Sequence, residues 1–247
     1  MEEHYFKINS DSISKNKFSL SNSESSHFIN SLRGKINDKI WLLDGIGSAY
    51  KGTITSINKN LVSGVVEETL INYGESRYNI NLVVGLVKGS RMDIIIEKAT
   101  ELGVKSIQPI LFKRCIKKKL NIDRSKKIIQ SAAKQSGRSF FPTILPVSTL
   151  DDWIQENLSN INILFHMNGS DSLKDIFNKV NISYNVIIGP EGDFSELELN
   201  ALGSTNLTTV NLGPRRLRSE TSVIAGLANI NYSLNYLNGK LFILQNY

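Results

Sequence analysis

The alternation of apolar and polar positions changes character about a third of the way along the chain. Before that point the apolar positions form short β-prone runs at residues 5–8, 39–43, 50–57 and 62–66. Turn residues such as Asp44-Gly45 and Asn58-Lys59-Asn60 separate them. One helix, over residues 23–32, interrupts the series. Short strands at this spacing predict a small β-barrel. The polar, glycine-containing stretch 72–77 marks a domain boundary.

From residue 79 the pattern becomes strand, helix, strand, helix. Continuous apolar runs predict strands at 82–87, 107–112, 162–165, 185–188 and 208–212. Helices are expected over 90–102, 124–136, 150–157, 171–180, 195–202 and 220–237. In the first of these, Met92, Ile95, Ile96, Ala99 and Leu102 share one face. Ser90 is the expected N-cap, with Asp93 three residues on, and Gly103 fits the C-terminal stop. Ser195 and Glu198 form a second capping-box pattern. Alternation of this kind predicts an α/β domain with a mainly parallel sheet, whose ligands sit at the carboxyl ends of the strands.

Composition narrows the function without assigning it. With 247 residues and 40% hydrophobic content, the chain can bury a substantial core and is neither disordered nor fibrous. The net charge of +6 suits a polyanionic partner. Ten basic residues lie between 113 and 138, Lys117 among them, with Asp123 the only acid. A solvated face and contacts with a nucleic-acid backbone both explain such a run. A single cysteine, Cys115, excludes a disulfide framework. His4, His27 and His166 are too dispersed for a close metal-binding pair, so no metal is expected. No apolar run is long enough to cross a membrane, and Met1-Glu2-Glu3-His4 does not open a secretory signal. The expectation is a soluble cytoplasmic protein.

Two loops stand out as carriers of chemistry, and both follow buried strands. Gly189-Pro190-Glu191-Gly192-Asp193-Phe194-Ser195 exposes backbone groups and permits close approach, just before a helix N-terminus. A tight turn needing glycine geometry is the competing reading. In Leu212-Gly213-Pro214-Arg215-Arg216-Leu217-Arg218-Ser219-Glu220-Thr221, three arginines crowd the start of the last helix, where the dipole favours acidic groups. That local cost points to gripping phosphate or stabilising a developing anion. The Gly45-Ile46-Gly47 sequence opens no helix and is a poor dinucleotide fingerprint.

These blocks, taken together, resemble the RsmE family of bacterial 16S ribosomal RNA uridine-N3 methyltransferases, in the SPOUT superfamily. The resemblance rests on His27–Arg33, Lys88-Gly89-Ser90-Arg91-Met92-Asp93, Glu97–Val104, Gln135-Ser136-Gly137-Arg138, Ile188–Phe194 and Leu212–Thr221, in the family's order. It implies a PUA-like β-barrel that binds RNA over residues 1–72 and a trefoil-knotted α/β methyltransferase domain over residues 73–247. It also implies a homodimer acting on 16S rRNA within the small ribosomal subunit, and S-adenosylmethionine as cofactor. The implied cofactor cradle is Phe165, His166, Ile188, Gly189, Glu191, Gly192, Leu212, Gly213 and Leu217. Asp193 and Ser219 depart from the family's usual glycine and threonine.

For the chemistry, Arg218 and then Arg215 are the expected stabilisers of the uracil anion, and Glu220 is expected to orient an arginine. Arg33, Lys88, Arg91, Gln135 and Arg138 are assigned to RNA contacts. Two other readings stay open: a SPOUT enzyme acting on another RNA or on ribose, and an RNA-binding or ribosome-assembly protein without catalysis.

Overall fold

The computed structural model describes residues 4–116, 118–177 and 183–237. Met1-Glu2-Glu3, Lys117 of the basic run and positions 178–180 of the helix expected at 171–180 lie outside them. The described chain forms two compact units.

The first unit is built on a six-stranded sheet ordered β1(Tyr5–Lys7), β4(Lys39–Leu43), β5(Ser48–Asn58), β6(Leu61–Ile71), β3(Lys17–Ser19), β2(Ile13–Ser14). All neighbours are antiparallel except β1 and β4. Lys59 and Asn60 both take positive φ, which gives the hairpin between β5 and β6 the twist of its strands. The core gathers Phe6, Phe18, Leu20, Phe28, Ile40, Leu42 and Ile54. Helix α1(Asn22–Ser26) is capped by the Ser21 hydroxyl and runs on into a π-turn over His27–Ser31. The helix expected over 23–32 is therefore present, with a wider last turn. The β2–β3 hairpin escapes the sequence pattern because its strands are only two and three residues long.

The compact units do not divide at the expected boundary between residues 72 and 73. The first unit runs to Ser76 and also takes Gln130–Phe141 from the far part of the chain. Its reason is specific bonding. Tyr73 accepts from both the Ser139 N–H and the Ser139 hydroxyl, and Phe141 N–H donates to Gly45. Glu75 takes a two-pronged bond from Arg138, with both side chains almost wholly buried.

The second unit is an α/β sheet ordered β10(Ser148–Thr149), β8(Ser106–Leu111), β7(Asn79–Gly85), β12(Ser183–Ile188), β11(Ile161–Phe165), β13(Leu207–Val210), with β9(Thr143–Ile144) paired to β8. Every pairing is parallel. The helices are α2(Ser90–Glu101), α3(Ile122–Gln135), α4(Leu150–Asn157), α5(Leu173–Phe177), α6(Glu196–Gly203) and α7(Ser219–Leu237), with α3 crossing into the first unit. The strand centres are apolar and sealed: Leu82, Val84, Ile163, Val186 and Ile187 show no surface. Near the strand starts, Ser106, Asn81, Asn185 and Asn162 lie side by side in register across four strands. They are joined by hydrogen bonds of 2.8, 3.2 and 2.9 Å. A one-residue slip of any strand would break this row, so it fixes register where apolar packing alone would tolerate sliding.

The capping box at Ser195 and Glu198 is present. The expected N-cap at Ser90 is not. Gly89 occupies that position, Ser90 is the first helical residue, and the Asp93 carboxylate instead takes Arg124 at 2.8 Å.

Candidate functional site

Strands β12, β11 and β13 lie side by side and end together at Ile188, Phe165 and Val210. The loops after them converge on one cavity of about 260 Å³ at the carboxyl edge of the sheet. Phe165, Ile188, Leu212 and Leu217 supply apolar wall, while Arg91, Glu191, Asp193, Arg215, Arg216 and Arg218 supply charge. Such a mixture of apolar wall and few convergent polar groups is the usual make-up of a small-molecule site.

The loops are tied to one another. Asn211 donates to the Met167 carbonyl and accepts from Gly213 N–H, so one side chain joins the loops after β11 and β13. The Ser219 hydroxyl donates to the Gly189 carbonyl and joins the start of α7 to the loop after β12. Gly169 passes so close to the end of β13 that a Cβ there would lie 2.4 Å from the Val210 carbonyl carbon. Only glycine permits that approach.

Arginines from outside brace the Pro190–Asp193 turn. Arg91 ion-pairs with Glu191, and Arg114 donates to the Gly192 carbonyl at 3.1 Å. Beyond the turn, Glu198 accepts from Lys113 N–H, Ser195 N–H and the Ser195 hydroxyl. Burial pushes the Glu198 carboxyl up, but these donors and the Arg114 charge outweigh it and hold the group below its ordinary value. Burial pushes the Cys115 thiol up, which suits a packed residue rather than a nucleophile. Phe194 closes the floor, edge-on to Phe112 at 5.0 Å and to His166 at 6.2 Å.

The structure brings together most of the residues singled out from sequence. Phe165, His166, Ile188, Gly189, Glu191, Leu212, Gly213, Leu217, Arg215 and Arg218 all line the cavity. Gly192 does not. A Cβ on it would meet Arg114 at 2.8 Å, so it shapes the turn from behind. Glu220 does not line the cavity either. It makes no ion pair with an arginine among the described residues, and its buried Oε2 has no hydrogen-bond partner among them. It sits in the first turn of α7, where the dipole favours a carboxylate.

Of the residues assigned to RNA, Arg91 lines the cavity and is engaged by Glu191, while Arg33, Lys88 and Gln135 are exposed elsewhere. Arg138 is corrected: its side chain is 3% exposed and committed to Glu75, so it has no surface to offer a phosphate. Sequence reasoning missed Asn211, and it named Arg216 and Phe194 within the two loops without giving either a role. A polar residue directly after a buried strand is the signal that would have found Asn211. Among the described residues, no cluster suited to a metal ion occurs and no helix is long and apolar enough to cross a membrane.

Comparison with known proteins gives this geometry a family. Residues 74–231 match the RNA methyltransferase domain model and residues 20–67 match the RNA methyltransferase PUA domain model. The chain is 29% identical over 230 residues to the ribosomal RNA small subunit methyltransferase E of Rickettsia conorii, covering 90% of this chain and 93% of that one. It is 28% identical over 236 residues to the Bacillus subtilis protein of the same name, covering 90% and 92%. The crystal structure of a ribosomal RNA small subunit methyltransferase E from Neisseria gonorrhoeae, bound to S-adenosyl methionine, superposes with a TM-score of 0.86. It shares 29% identity and covers 94% of this chain and 98% of that one. A putative methyltransferase from Legionella pneumophila, in complex with the same cofactor, superposes at 0.83 with 25% identity, covering 94% and 98%. With its PUA domain ahead of a methyltransferase domain, the chain belongs to the RNA methyltransferase family and, within it, to the RsmE group that its motifs resemble.

Proposed function

We propose that the chain transfers a methyl group from S-adenosylmethionine to N3 of one uridine in the 16S ribosomal RNA of the small subunit. It acts in the cytoplasm as a homodimer, with a trefoil-knotted catalytic domain. The observation that carries the reading is one cavity, formed by three tied loops, that holds three arginines engaged in no ion pair among the described residues. Similarity to chains named small subunit methyltransferases, one bound to the cofactor, supports the substrate and the methyl donor.

The donor set fits the cofactor. Phe165, Ile188, Leu212 and Leu217 offer apolar surface for a flat base, and the glycine loops offer backbone groups for a ribose. His166, Glu191 and Gly213 complete the cradle, and Gly192 acts from behind by shaping the turn. The bound cofactor supplies an electrophilic methyl carbon. The protein's task is to place uracil N3 in line with that carbon, and positioning of this kind removes much of the barrier.

Loss of the N3 proton to solvent water spreads negative charge over O2 and O4. Arg218, with Arg215 second, stabilises that charge through guanidinium hydrogen bonds, which strengthen as the anion develops. Glu220 contributes through the helix start and not as the base. Exposed Arg33, Lys88 and Gln135 contact the RNA, and Arg91 does so only with the charge that Glu191 leaves it.

The test is incubation with labelled S-adenosylmethionine and unmodified small subunits, followed by mass spectrometry of the nucleosides. A single 3-methyluridine is expected. Label in another base or in ribose overturns the assigned position, and no label with cofactor binding intact overturns the RNA target.

A further inference from the structure

The cavity carries an imbalance of charge. Glu191 is engaged by Arg91, whereas Arg215, Arg216 and Arg218 are in no ion pair among the described residues. Asp193 is the other carboxylate on the wall. The nearest basic group to it is His166, whose Nε2 lies 3.8 Å from Asp193 Oδ1, beyond hydrogen-bond reach. His166 Nδ1 accepts from Asn168 N–H, which turns Nε2 toward Asp193. Asp193 is therefore a half-exposed carboxylate on the wall of an arginine-rich cavity, and no lysine or arginine among the described residues pairs with it.

Its placement is fixed by the backbone. Asp193 adopts a positive φ of 64°, its N–H donates to the Pro190 carbonyl at 3.0 Å, and its Oδ1 accepts from Phe194 N–H at 2.9 Å. Aspartate and asparagine tolerate this left-handed region better than most residues.

We propose that Asp193 is a specificity-determining residue that supplies the counter-charge for the cofactor's sulfonium and so distinguishes the methyl donor from its demethylated product. This rests on the reading of the cavity as the S-adenosylmethionine site. The donor carries a positive sulfur into a wall that already holds three uncompensated arginines. In the transfer, the methyl carbon–sulfur bond breaks with its electron pair left on sulfur, and the lone pair of deprotonated N3 forms the new bond. The product is a neutral thioether. The Asp193 carboxylate then faces no cation, and the product is held less tightly than the donor.

The experiment is calorimetric titration of the full chain with S-adenosylmethionine, with S-adenosylhomocysteine, and with sinefungin, which replaces the sulfonium by an amine-bearing carbon. Asp193→Asn keeps the left-handed backbone and the acceptor for Phe194 N–H but removes the charge. Asp193→Gly keeps only the backbone. Both variants are expected to lose about tenfold in affinity for the donor and for sinefungin, and less than about twofold for the homocysteine product, on the scale of one partly buried charge pair.

Equal losses for all three ligands would move the Asp193 contact to the amino-acid end that they share and overturn the proposal. Unchanged affinities would overturn it as well. If the unaltered chain binds none of the three, the cofactor assignment of the cavity itself fails, an outcome distinct from loss of discrimination in the variants.

Discussion

The Ser219 hydroxyl donates to the Gly189 carbonyl at 2.9 Å, across thirty positions of sequence, and holds the first turn of α7 against the loop after β12. Both residues line the cavity, so this bond sets the distance between two of its walls. Ser219→Ala leaves the Gly189 carbonyl without this donor. We expect about 1 kcal/mol lower stability, the usual net worth of such a bond. Cofactor affinity should fall several-fold as the loops separate, whereas Ser219→Thr, which retains the hydroxyl, should bind normally. Thermal melts with calorimetry check this, and equal affinities for the Ala and Thr variants would show that the tie does not govern the cavity.

The sequence alone gives Arg218 and Arg138 alike a functional contact, and the structure separates them. Arg218→Ala should lose methylation by 100-fold or more, as on removal of a transition-state donor, with cofactor binding and melting temperature intact. Arg138→Ala should do the reverse. It leaves Glu75 buried with its cation removed, at a cost of about 3–5 kcal/mol, and its effect on RNA affinity should vanish once the folded fraction is allowed for. Melting curves beside methylation rates separate the two.

What the sequence revealed depended on how local the cause was. Strand β12, helix α4 and the Ser195 cap were legible because apolar runs and capping spacings are decided within a few residues. The two loops were legible because glycines and clustered arginines are costly unless used. The gathering of Gln130–Phe141 into the first unit was not legible, since it turns on Tyr73 and Glu75 finding partners more than sixty positions away. For the same reason Arg138 looked like a phosphate contact: a sequence shows a charge but not the carboxylate buried beside it. Gly192 was placed in the right loop and on the wrong side of it, because the direction of a missing Cβ is a property of the folded turn.

The row Ser106–Asn81–Asn185–Asn162 gives a prediction about the sheet. Asn185 donates to Asn162 at 2.9 Å and to Asn157 at 3.3 Å, and accepts from Asn81. Asn185→Ala removes those three bonds in the buried interior. We expect a loss of about 2–4 kcal/mol, since each polar group left unmatched there costs about 1–3 kcal/mol. The cavity lies at the opposite end of β12, so the cofactor affinity of the folded fraction should be unchanged. A large drop in affinity at temperatures where the variant is fully folded would show that register errors propagate along the strand.

The acid sensitivity of the site should report on Glu198. Its carboxyl is held below the ordinary value of 4.5, because the Lys113 and Ser195 donors and the Arg114 charge outweigh burial. A depressed folded value means that the unfolded chain binds the proton more readily. The stabilisation is therefore complete above the ordinary value, and it is lost as the pH falls through the lower, folded one. Melting temperature measured between pH 3 and pH 7 should fall at the acid end for the unaltered chain. Glu198→Gln cannot ionise and keeps only one acceptor oxygen. It should be less stable at pH 7 and lack that part of the acid decline, so the two curves converge as the pH drops. Because the same carboxylate ties Lys113 to the capping box that follows the cavity loop, cofactor affinity should weaken in step with it. Parallel curves for the two proteins would mean that the acid limb belongs to other carboxylates and that Glu198 acts through shape alone.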